Sequence, residues 1–169
     1  MTITNTTKLQ LKYGESKTSY HKTSHGEVVS FYYGNLKKKI PLIRFHSACL
    51  FGETFHSKHC DCRDQLHNTL KLIKKHGSGV IVYGFQEGRG IGLDKKINAM
   101  ELQRSKKIDT VEAFNLLGLK PDLRDYDAMI DALQDLNVNN VIIVVSNNPE
   151  KINTLIKSGY IIKQIINEL

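Results

Sequence analysis

The sequence predicts a mixed α/β or α+β fold in a single domain over residues 1–169, with antiparallel N-terminal strands and a C-terminal half in which strands and helices alternate. Apolar and polar residues alternate in the first third of the chain, as half-buried strands require. Further along, segments with helical spacing are separated by short apolar runs. The 169 residues are 40% hydrophobic, which suffices for one well-buried core and is short for two.

The N-terminal strands are indicated by a turn followed by an alternating run. Gly26 and Glu27 precede the segment VVSFYYG, and this combination predicts a β-hairpin near the N-terminus. The alternation continues well enough to predict antiparallel strands up to about Phe45. The first third of the chain is therefore expected to be β-structure.

A helix is predicted to begin after Asp61. Leu66, Leu70 and Ile73 recur at helical spacing, and Gly77 stands where the C-terminus of a helix favours a left-handed residue. The apolar run VIVYGF that follows is bounded by turn residues, so it is expected to form a buried strand.

The remainder of the chain alternates between helix and strand. Asn148 is suited to cap the last helix, with Pro149 at its first position, and that helix is expected to run to Lys157 and to stop at Gly159. The other predicted elements are helices over residues 93–104, from Asp109, and over residues 127–136, and strands over residues 141–145 and 160–166.

The charge and the N-terminus limit the classes of partner. The formal charge of +7 and a pI near 9.3 favour an anionic partner, for which phosphate is the commonest choice. The basic residues are scattered, as on a solvated face, which does not favour nucleic acid. MTITNTTKLQLKYGES has no apolar segment of a signal peptide, and no apolar run is long enough to span a membrane. We therefore expect a soluble, cytoplasmic protein without a membrane partner.

All the cysteines lie in one segment, RFHSACLFGETFHSKHCDCRDQL, at Cys49, Cys60 and Cys62. Cytosolic thiols are kept reduced and an odd number leaves one unpaired, so a disulfide framework is not expected. Three closely spaced soft thiolates suit zinc. A closed structural site would need a fourth ligand, whereas an open site would leave that position to water, as a hydrolase requires. The spacing leaves both possible, because three histidines are available as the fourth ligand: His46, His56 and His59.

The segment QEGRGIGL follows a predicted strand and precedes a predicted helix. Its glycines allow the backbone to approach a ligand closely, and the helix N-terminus presents unpaired N–H groups to an anion. Glu87 could accept two hydrogen bonds from a guanine edge, and Arg89 could donate two to a phosphate. The glycine pattern alone is a weak signal, and these two charged residues strengthen it.

Two further segments carry chemistry that their spacing does not decide. SNNPEK places Ser146 and Lys151 beside a helix N-terminus, as in an anion site or in a plain capped turn. In DLRDYD, Asp122 and Arg124 are two residues apart, as in a surface ion pair or in a catalytic couple.

Taken together, four segments in this order resemble the GTP cyclohydrolase II family: RFHSACLFGETFHSKHCDCRDQL, QEGRGIGLDKKINAMELQ, DTVEAFNLLGLKPDLRDY and SNNPEK. The resemblance covers about residues 41–162. It implies a homodimer that hydrolyses GTP, opens the imidazole ring, and releases C8 as formate together with pyrophosphate. The remaining diaminopyrimidine ribosyl phosphate would feed riboflavin synthesis.

The resemblance also implies a role for each matching residue. The three cysteines fall on zinc ligands, where the metal would lower the pKa of a bound water from about 15.7 towards roughly 7, and this favours the open site. Asp122 falls on the proton acceptor, and Arg124 on the residue proposed to attack the α-phosphate. Mg2+ is expected to accompany the triphosphate. The positions implied to bind nucleotide are Arg44, Gln65, Glu87, Gly88, Arg89, Thr110, Ser146 and Lys151.

The sequence departs from the family pattern at five positions, and the first four of these changes are expected to cluster around the nucleotide. Ala48 replaces a usual Glu, Phe85 a common Arg, Ser146 a Thr, and Glu150 a basic residue. Met100 occupies a position that is normally Tyr, so the hydroxyl that could place a second water and donate a proton is missing. We predict that the imidazole ring is opened but that the formyl group is retained, unless another group or water replaces the hydroxyl.

Two other functions stay open from the sequence. One is a paralogue that binds guanine nucleotide without turnover, against which the retained cysteines, Asp122 and Arg124 argue. The other is a zinc-stabilised nucleic-acid-binding module, which should show aromatic residues interleaved with a basic stripe. Here Tyr and Phe lie mostly in apolar, strand-like runs.

Overall fold

One mixed sheet runs through the part of the chain that the computed structural model describes, residues 2–120 and 122–167. The strand order is β1-β2-β3-β5-β4-β6-β7. Neighbours from β1 to β5 along this order pair antiparallel, whereas β4 pairs parallel with β5 and β6, and β6 pairs parallel with β7. The strands are β1 (Thr2–Leu11), β2 (Gly14–Thr23), β3 (Gly26–Tyr33), β4 (Leu42–Ser47), β5 (Gly79–Gly84), β6 (Val141–Val145) and β7 (Ile161–Ile166).

The structure confirms the mixed α/β class and the predicted hairpin, and it corrects the direction of one strand. Gly26 opens β3 with a φ of 131°, and it pairs with Thr23 at the end of β2. The prediction of antiparallel strands up to about Phe45 is wrong for β4, in which Arg44 pairs parallel with Ile81 of β5. β4 is buried on both faces, as parallel strands usually are, and residue alternation does not specify strand direction.

Six α-helices connect and cover the described strands: α1 (Leu50–Glu53), α2 (Cys62–His76), α3 (Leu93–Lys106), α4 (Thr110–Leu116), α5 (Asp127–Asp135) and α6 (Pro149–Lys157). The predicted helix ends are confirmed where a capping residue stands at the end of the helix. Gly77 ends α2 with a φ of 84°, and the Asn148 side chain accepts hydrogen bonds from the first N–H groups of α6. The short helix α1, between Cys49 and Cys60, was not predicted because it is a single turn.

The helices cover both faces of the sheet. Leu42 packs with Ile73 of α2 on one face, while its neighbour Ile43 packs with Met129 and Leu133 of α5 on the other. Within the described residues, no helix is long and apolar enough to cross a bilayer. We retain as a proposal the interpretation of residues 1–169 as one domain, which the continuity of the sheet supports.

The parallel part of the sheet determines where polar segments meet. The carboxyl ends of parallel strands lie at the same edge of a sheet, which is where α/β proteins place their binding clefts. The segments that leave β4, β5 and β6 at this edge are residues 48–49, 85–92 and 146–148. Ala99 of α3 and Ala113 and Phe114 of α4 form a small apolar cluster with Ile91 of the second segment.

Candidate active site

A cavity of about 520 Å³ lies where these segments meet. All but one of the site residues predicted from the sequence line it: Arg44, Cys49, Cys60, Cys62, Gln65, Glu87, Gly88, Arg89, Met100, Thr110, Arg124, Ser146 and Lys151. These residues come from segments that span more than 100 positions of the chain. The fold therefore brings the predicted metal, substrate and catalytic positions into one cleft.

Asp122 is the exception, because it lines a second, smaller cavity of about 340 Å³ with Tyr126 and Glu150. Arg124 lines both cavities. The Asp122 carboxylate accepts hydrogen bonds from Arg124 Nε at 2.9 Å (Oδ1) and from Arg124 Nη2 (Oδ2). Asp122 is thus connected to the main cavity through the arginine.

The three thiols form a compact cluster. Their Sγ atoms all lie within 4.8 Å of one another, and those of Cys49 and Cys60 are 3.5 Å apart. A tetrahedral zinc with Zn–S bonds of about 2.3 Å places its sulfurs roughly 3.8 Å apart, so this donor set fits the metal. Burial, and then the neighbouring thiols, raise the pKa of Cys62 well above its ordinary value. Three thiolates at these distances therefore need a cation to offset their charge.

Gly52, on helix α1, makes room for the thiol cluster. A β-carbon at this position would lie 2.7 Å from Cys60 Sγ and 3.3 Å from Cys49 Sγ. Any side chain here would displace the sulfurs from one another. The absence of a side chain at Gly52 therefore lets the three thiols lie close together.

Among the described residues, no histidine or carboxylate atom joins the thiol cluster. Three histidines were considered as a fourth ligand. His46 is buried and makes other hydrogen bonds, and His59 Nε2 lies 3.1 Å from Gln103 Oε1. His56 is exposed and has a left-handed φ of 54°. The cluster in the described residues therefore offers three protein ligand atoms, all of them sulfur.

A buried hydrogen-bond chain joins the cysteine loop to Arg44. Arg44 Nε always carries a proton and donates to His46 Nδ1 (3.2 Å), so the proton of the neutral imidazole is on Nε2, which donates to Glu53 Oε1 (3.0 Å). Burial lowers the pKa of His46, consistent with this neutral form. Glu53 also accepts from the Cys49 N–H and the Tyr83 hydroxyl. The loop that carries Cys49 is thereby fixed against the sheet.

Arg44 itself is held inside the protein with its hydrogen bonds satisfied. Its Nη1 donates to the Val145 carbonyl (3.2 Å) and its Nη2 to Gln65 Oε1 (2.6 Å), whose amide nitrogen donates to Asp61 Oδ2 (2.9 Å). Burial lowers the pKa of Arg44 to about 10, which still leaves it charged at neutral pH. The result is a rigid positive charge at the base of the cavity.

The glycine-rich loop after β5 has an uncommon backbone. Gly88, Arg89, Gly90 and Gly92 all have φ between 58° and 88°, which is the left-handed region. At Gly90 a β-carbon would lie 2.9 Å from the carbonyl carbon of Leu123, whose N–H donates to the Arg89 carbonyl (3.0 Å). The loop therefore packs directly on the segment that carries Asp122 and Arg124.

Glu87 is engaged by protein groups in this loop. Its Oε1 accepts from Lys96 Nζ (2.6 Å) and the Gly88 N–H (3.0 Å), and its Oε2 accepts from the Leu50 N–H (2.7 Å). Burial alone would raise the pKa of Glu87, but the hydrogen bonds from Leu50 and Lys96 outweigh it and lower the pKa. Glu87 is a carboxylate at neutral pH.

Lys151 and Ser146 form the part of the cavity that follows β6. Lys151 is buried, and its Nζ donates to the Phe45 carbonyl at 2.8 Å. Burial, and then the charges of Arg124 and Arg44, lower the pKa of Lys151 to about 7. Ser146 Oγ accepts from the Asn148 N–H at 3.1 Å, so it supports the turn into α6.

The departures from the family pattern separate in space. Ala48, Met100 and Ser146 line the main cavity. Phe85 does not: it is 61% exposed and lies edge-on to Tyr83. Glu150 lines the smaller cavity beside Asp122. Of the four changes expected to cluster around the nucleotide, Ala48 and Ser146 thus line the main cavity and Phe85 and Glu150 do not, and the clustering itself stays a prediction.

Lys96 and Glu53 were not singled out from the sequence. A helical signal for Lys96 exists, because Lys96, Met100 and Gln103 are spaced as one face of α3 and all line the cavity. Glu53 offered no signal, because its partners His46, Cys49 and Tyr83 become neighbours only through the tertiary structure.

Comparison with known proteins adds the family. The chain matches the family model described as GTP cyclohydrolase II over residues 2–167. It is 44% identical over 149 residues to GTP cyclohydrolase-2 of Archaeoglobus fulgidus (88% of this chain, 39% of that protein). It is 43% identical over 141 residues to GTP cyclohydrolase-2 of Aliivibrio fischeri (83% of this chain, 69% of that protein). It is 48% identical over 134 residues to riboflavin biosynthesis protein RibBA of Aquifex aeolicus (78% of this chain, 32% of that protein). The chain thus spans well under half the length of two of these relatives.

Proposed function

Because the chain belongs to the GTP cyclohydrolase II family, we propose that it hydrolyses GTP, opening the guanine imidazole ring at C8 and releasing pyrophosphate. One observation carries this proposal: three thiols that fit a metal and four cationic side chains that could attract phosphate converge on a single cavity. The cations are Arg44, Arg89, Arg124 and Lys151. A nucleoside triphosphate needs this combination of positive charge and hydrolytic centre.

We propose that Cys49, Cys60 and Cys62 hold zinc in an open site. When bound, zinc lowers the pKa of a coordinated water from about 15.7 to about 7, which supplies a nucleophile at neutral pH. Glu53 keeps Cys49 in place through its backbone N–H, and Gly52 leaves the sulfurs room. We also propose that Mg2+ accompanies the triphosphate, since such chains are usually bound with that ion bridging their oxygens.

The cationic residues divide the work on the substrate. Arg44 and Lys151 are buried at the cavity base, where their charges attract anionic oxygens in a medium of reduced dielectric. Arg124, held by Asp122, would stabilise the negative charge that develops as pyrophosphate departs. The nucleotide site would be completed by Arg89, Gln65, Thr110 and Ser146. Glu87 and Gly88 would lie near the guanine base.

We further propose that the formyl group is retained on the product. Ring opening and deformylation are successive hydrolyses at one carbon, and the second needs another water and a proton for the departing amine. Met100 offers only a weakly accepting sulfur where a tyrosine hydroxyl would serve, and none of the cavity-lining residues in the described ranges is a tyrosine. The product would then be a formylamino pyrimidine ribosyl phosphate.

Homodimerisation, a cytoplasmic location and a role in riboflavin supply are proposals of the same kind. They are supported by the family and by the riboflavin biosynthesis protein among the relatives. A specialised biosynthetic route would use the same ring-opened nucleotide.

Product identification tests the proposed function against its alternatives. Purified protein is incubated with GTP, Mg2+ and Zn2+, and the products are identified by mass spectrometry. We expect pyrophosphate and a ring-opened pyrimidine. Tight GTP binding without turnover would support a nucleotide-binding paralogue instead, and salt-sensitive RNA binding without turnover would support a nucleic-acid-binding module.

A further inference from the structure

Lys96 reaches from helix α3 to the cysteine cluster and contacts three different groups. Its Nζ lies 2.6 Å from Glu87 Oε1, 3.3 Å from Cys49 Sγ, and 5.1 Å from the centre of the Phe51 ring. Its side chain is only 17% exposed, as is that of Glu87. The ammonium is therefore held inside the cavity wall, next to a sulfur that would bind the metal.

Glu87 supports this arrangement from the other side. Its carboxylate takes hydrogen bonds from Lys96, Gly88 and Leu50, and Leu50 directly follows Cys49 in the chain. The carboxylate thus fixes the backbone beside the metal ligand, and Lys96 contacts the sulfur of that ligand. Glu87 and Lys96, nine residues apart, thus contact the cysteine loop together, although Cys49 lies 47 residues before Lys96 in the chain.

The charge of the metal site explains why a cation is useful at this place. Three thiolates around one Zn2+ leave an excess negative charge, which is unfavourable in a partly buried site. An ammonium that donates to a thiolate offsets that charge and orients the ligand. Outer hydrogen-bond partners of this kind typically contribute about 10- to 100-fold to metal affinity or activity.

We infer that Lys96 is a positioning residue of the metal centre, which ties the Cys49 thiolate to the Glu87 carboxylate and so sets the charge around the metal. The inference rests on the proposed function, because it requires that the three cysteines bind a metal. Lys96 would act through Cys49 and not by touching GTP.

The same contacts limit what Glu87 can do for the substrate. A carboxylate has about four lone pairs, and three of them are already used here, two on Oε1 and one on Oε2. Recognition of a guanine edge by two hydrogen bonds needs a free acceptor on each oxygen. Glu87 keeps one only on Oε2 while Lys96 and Gly88 occupy Oε1.

Metal binding without GTP tests the inference directly. Metal-free, reduced protein is titrated with Co2+, and the thiolate-to-cobalt charge-transfer bands are recorded; Zn2+ affinity is measured by competition with a chromophoric chelator. Lys96→Met and Lys96→Gln are compared with wild type, with Lys96→Arg as the conservative variant. Lys95→Met is the matched control, because Lys95 is the preceding residue of the same helix and is exposed.

We expect Lys96→Met and Lys96→Gln to bind Zn2+ about 10- to 100-fold more weakly and to shift the charge-transfer bands. Lys96→Arg should recover most of the affinity, and Lys95→Met should match wild type. With saturating Zn2+, kcat should fall while KM for GTP changes little, because the inferred role of Lys96 is at the metal centre. Two variants that remove the charge are used so that the test still works if one of them misfolds, which circular dichroism would detect.

Two outcomes overturn the inference and are distinguishable. If wild-type protein binds Co2+ with thiolate bands, and a folded Lys96→Met or Lys96→Gln variant has the same affinity and the same bands, Lys96 has no role at the metal. If wild-type protein shows no thiolate bands at all, the metal centre of the proposed function fails and the inference fails with it.

Discussion

Arg124 donates hydrogen bonds to Asp122 through Nε and Nη2, so that one side of its guanidinium faces the two oxygens of the carboxylate. The Arg124 backbone N–H donates to the same carboxylate at 3.0 Å. Burial would lower the pKa of Arg124, but the hydrogen bonds to Asp122 outweigh it and raise the pKa further. Arg124 is consequently a permanent cation in the cavity wall, better suited to stabilise a departing anion than to attack phosphorus as a neutral nitrogen.

Replacement of Arg124 should separate the chemical step from binding. We expect Arg124→Ala to slow pyrophosphate release by about 100-fold or more, with a much smaller change in the affinity for a GTP analogue, because the charge acts chiefly in the transition state. Arg124→Lys should not restore the rate, since lysine cannot reproduce the two-point contact with Asp122.

The matched control for this prediction is Arg104→Ala, which removes an exposed arginine that also pairs with a carboxylate, Glu101. Its pyrophosphate release should equal that of wild type. Unchanged release in Arg124→Ala would remove Arg124 from the mechanism.

Lys151 should make nucleotide binding sensitive to pH above neutrality. Its pKa of about 7 means that the free protein carries a charged Lys151 below that pH and a neutral one above it. A bound phosphate favours the charged form, so binding above about pH 7 requires proton uptake, and affinity should fall by up to about tenfold per pH unit. Calorimetric titration with a non-hydrolysable GTP analogue between about pH 6 and pH 9 measures this slope.

Lys151→Met should flatten that pH dependence, whereas Lys157→Met should preserve it, because Lys157 is exposed at the end of the same helix. An undiminished slope in Lys151→Met would show that another group takes up the proton.

Met100 should control the fate of the formyl group. We expect the natural protein to release pyrophosphate with little formate, and Met100→Tyr to raise the formate yield, because the phenol can deliver the proton that deformylation needs. Met100→Leu serves as control, since it keeps an apolar side chain without a hydroxyl and should behave like the natural protein. Formate and pyrophosphate are quantified in the same reaction. One formate per pyrophosphate in the natural protein would contradict retention of the formyl group.

Helix α5 is attached to the hairpin by an ion pair whose stabilisation depends on pH. His25 Nδ1 lies 2.8 Å from Asp131 Oδ2, and this hydrogen bond raises the pKa of His25 above its ordinary 6.5. The folded protein then holds the proton more tightly than the unfolded chain, so the contribution is complete below about pH 6.5 and is lost as pH rises through the raised pKa.

His25→Ala should therefore reduce the free energy of unfolding more at about pH 5 than at about pH 9, as measured by urea denaturation. Asp131→Asn should remove the same pH-dependent part while keeping the shape of the side chain. Equal losses at both pH values in His25→Ala would show that the pair makes no charge-dependent contribution.

The features that the sequence predicted correctly are those with local causes. Asn148 and Pro149 determine the start of α6 because an N-cap acts within a few residues of itself. The direction of β4 could not be predicted, because it depends on β5 and β6 joining on either side, and residue alternation is the same for both directions. Pairing between distant strands is a property of the whole chain.

The same distinction holds in the site. Cys60 and Cys62 could be grouped from their spacing, and the family resemblance predicted which residues bind the nucleotide. Lys96 could not be connected to Cys49, because 47 residues separate them and only the packing of α3 on the glycine-rich loop brings them to 3.3 Å. The placement of Asp122 in a separate cavity from Lys151 likewise depends on the tertiary path of the loop.

The most direct test of the account is a zinc titration of ring opening. Protein stripped of metal with a chelator is supplied with increasing Zn2+ in the presence of GTP and Mg2+, and the ring-opened pyrimidine is quantified by mass spectrometry. We expect negligible ring opening in the stripped protein, a rise to a plateau at about one Zn2+ per chain, and no recovery in Cys60→Ser. Full ring opening in demonstrably metal-free protein, or a wild-type rate in Cys60→Ser, would contradict the account.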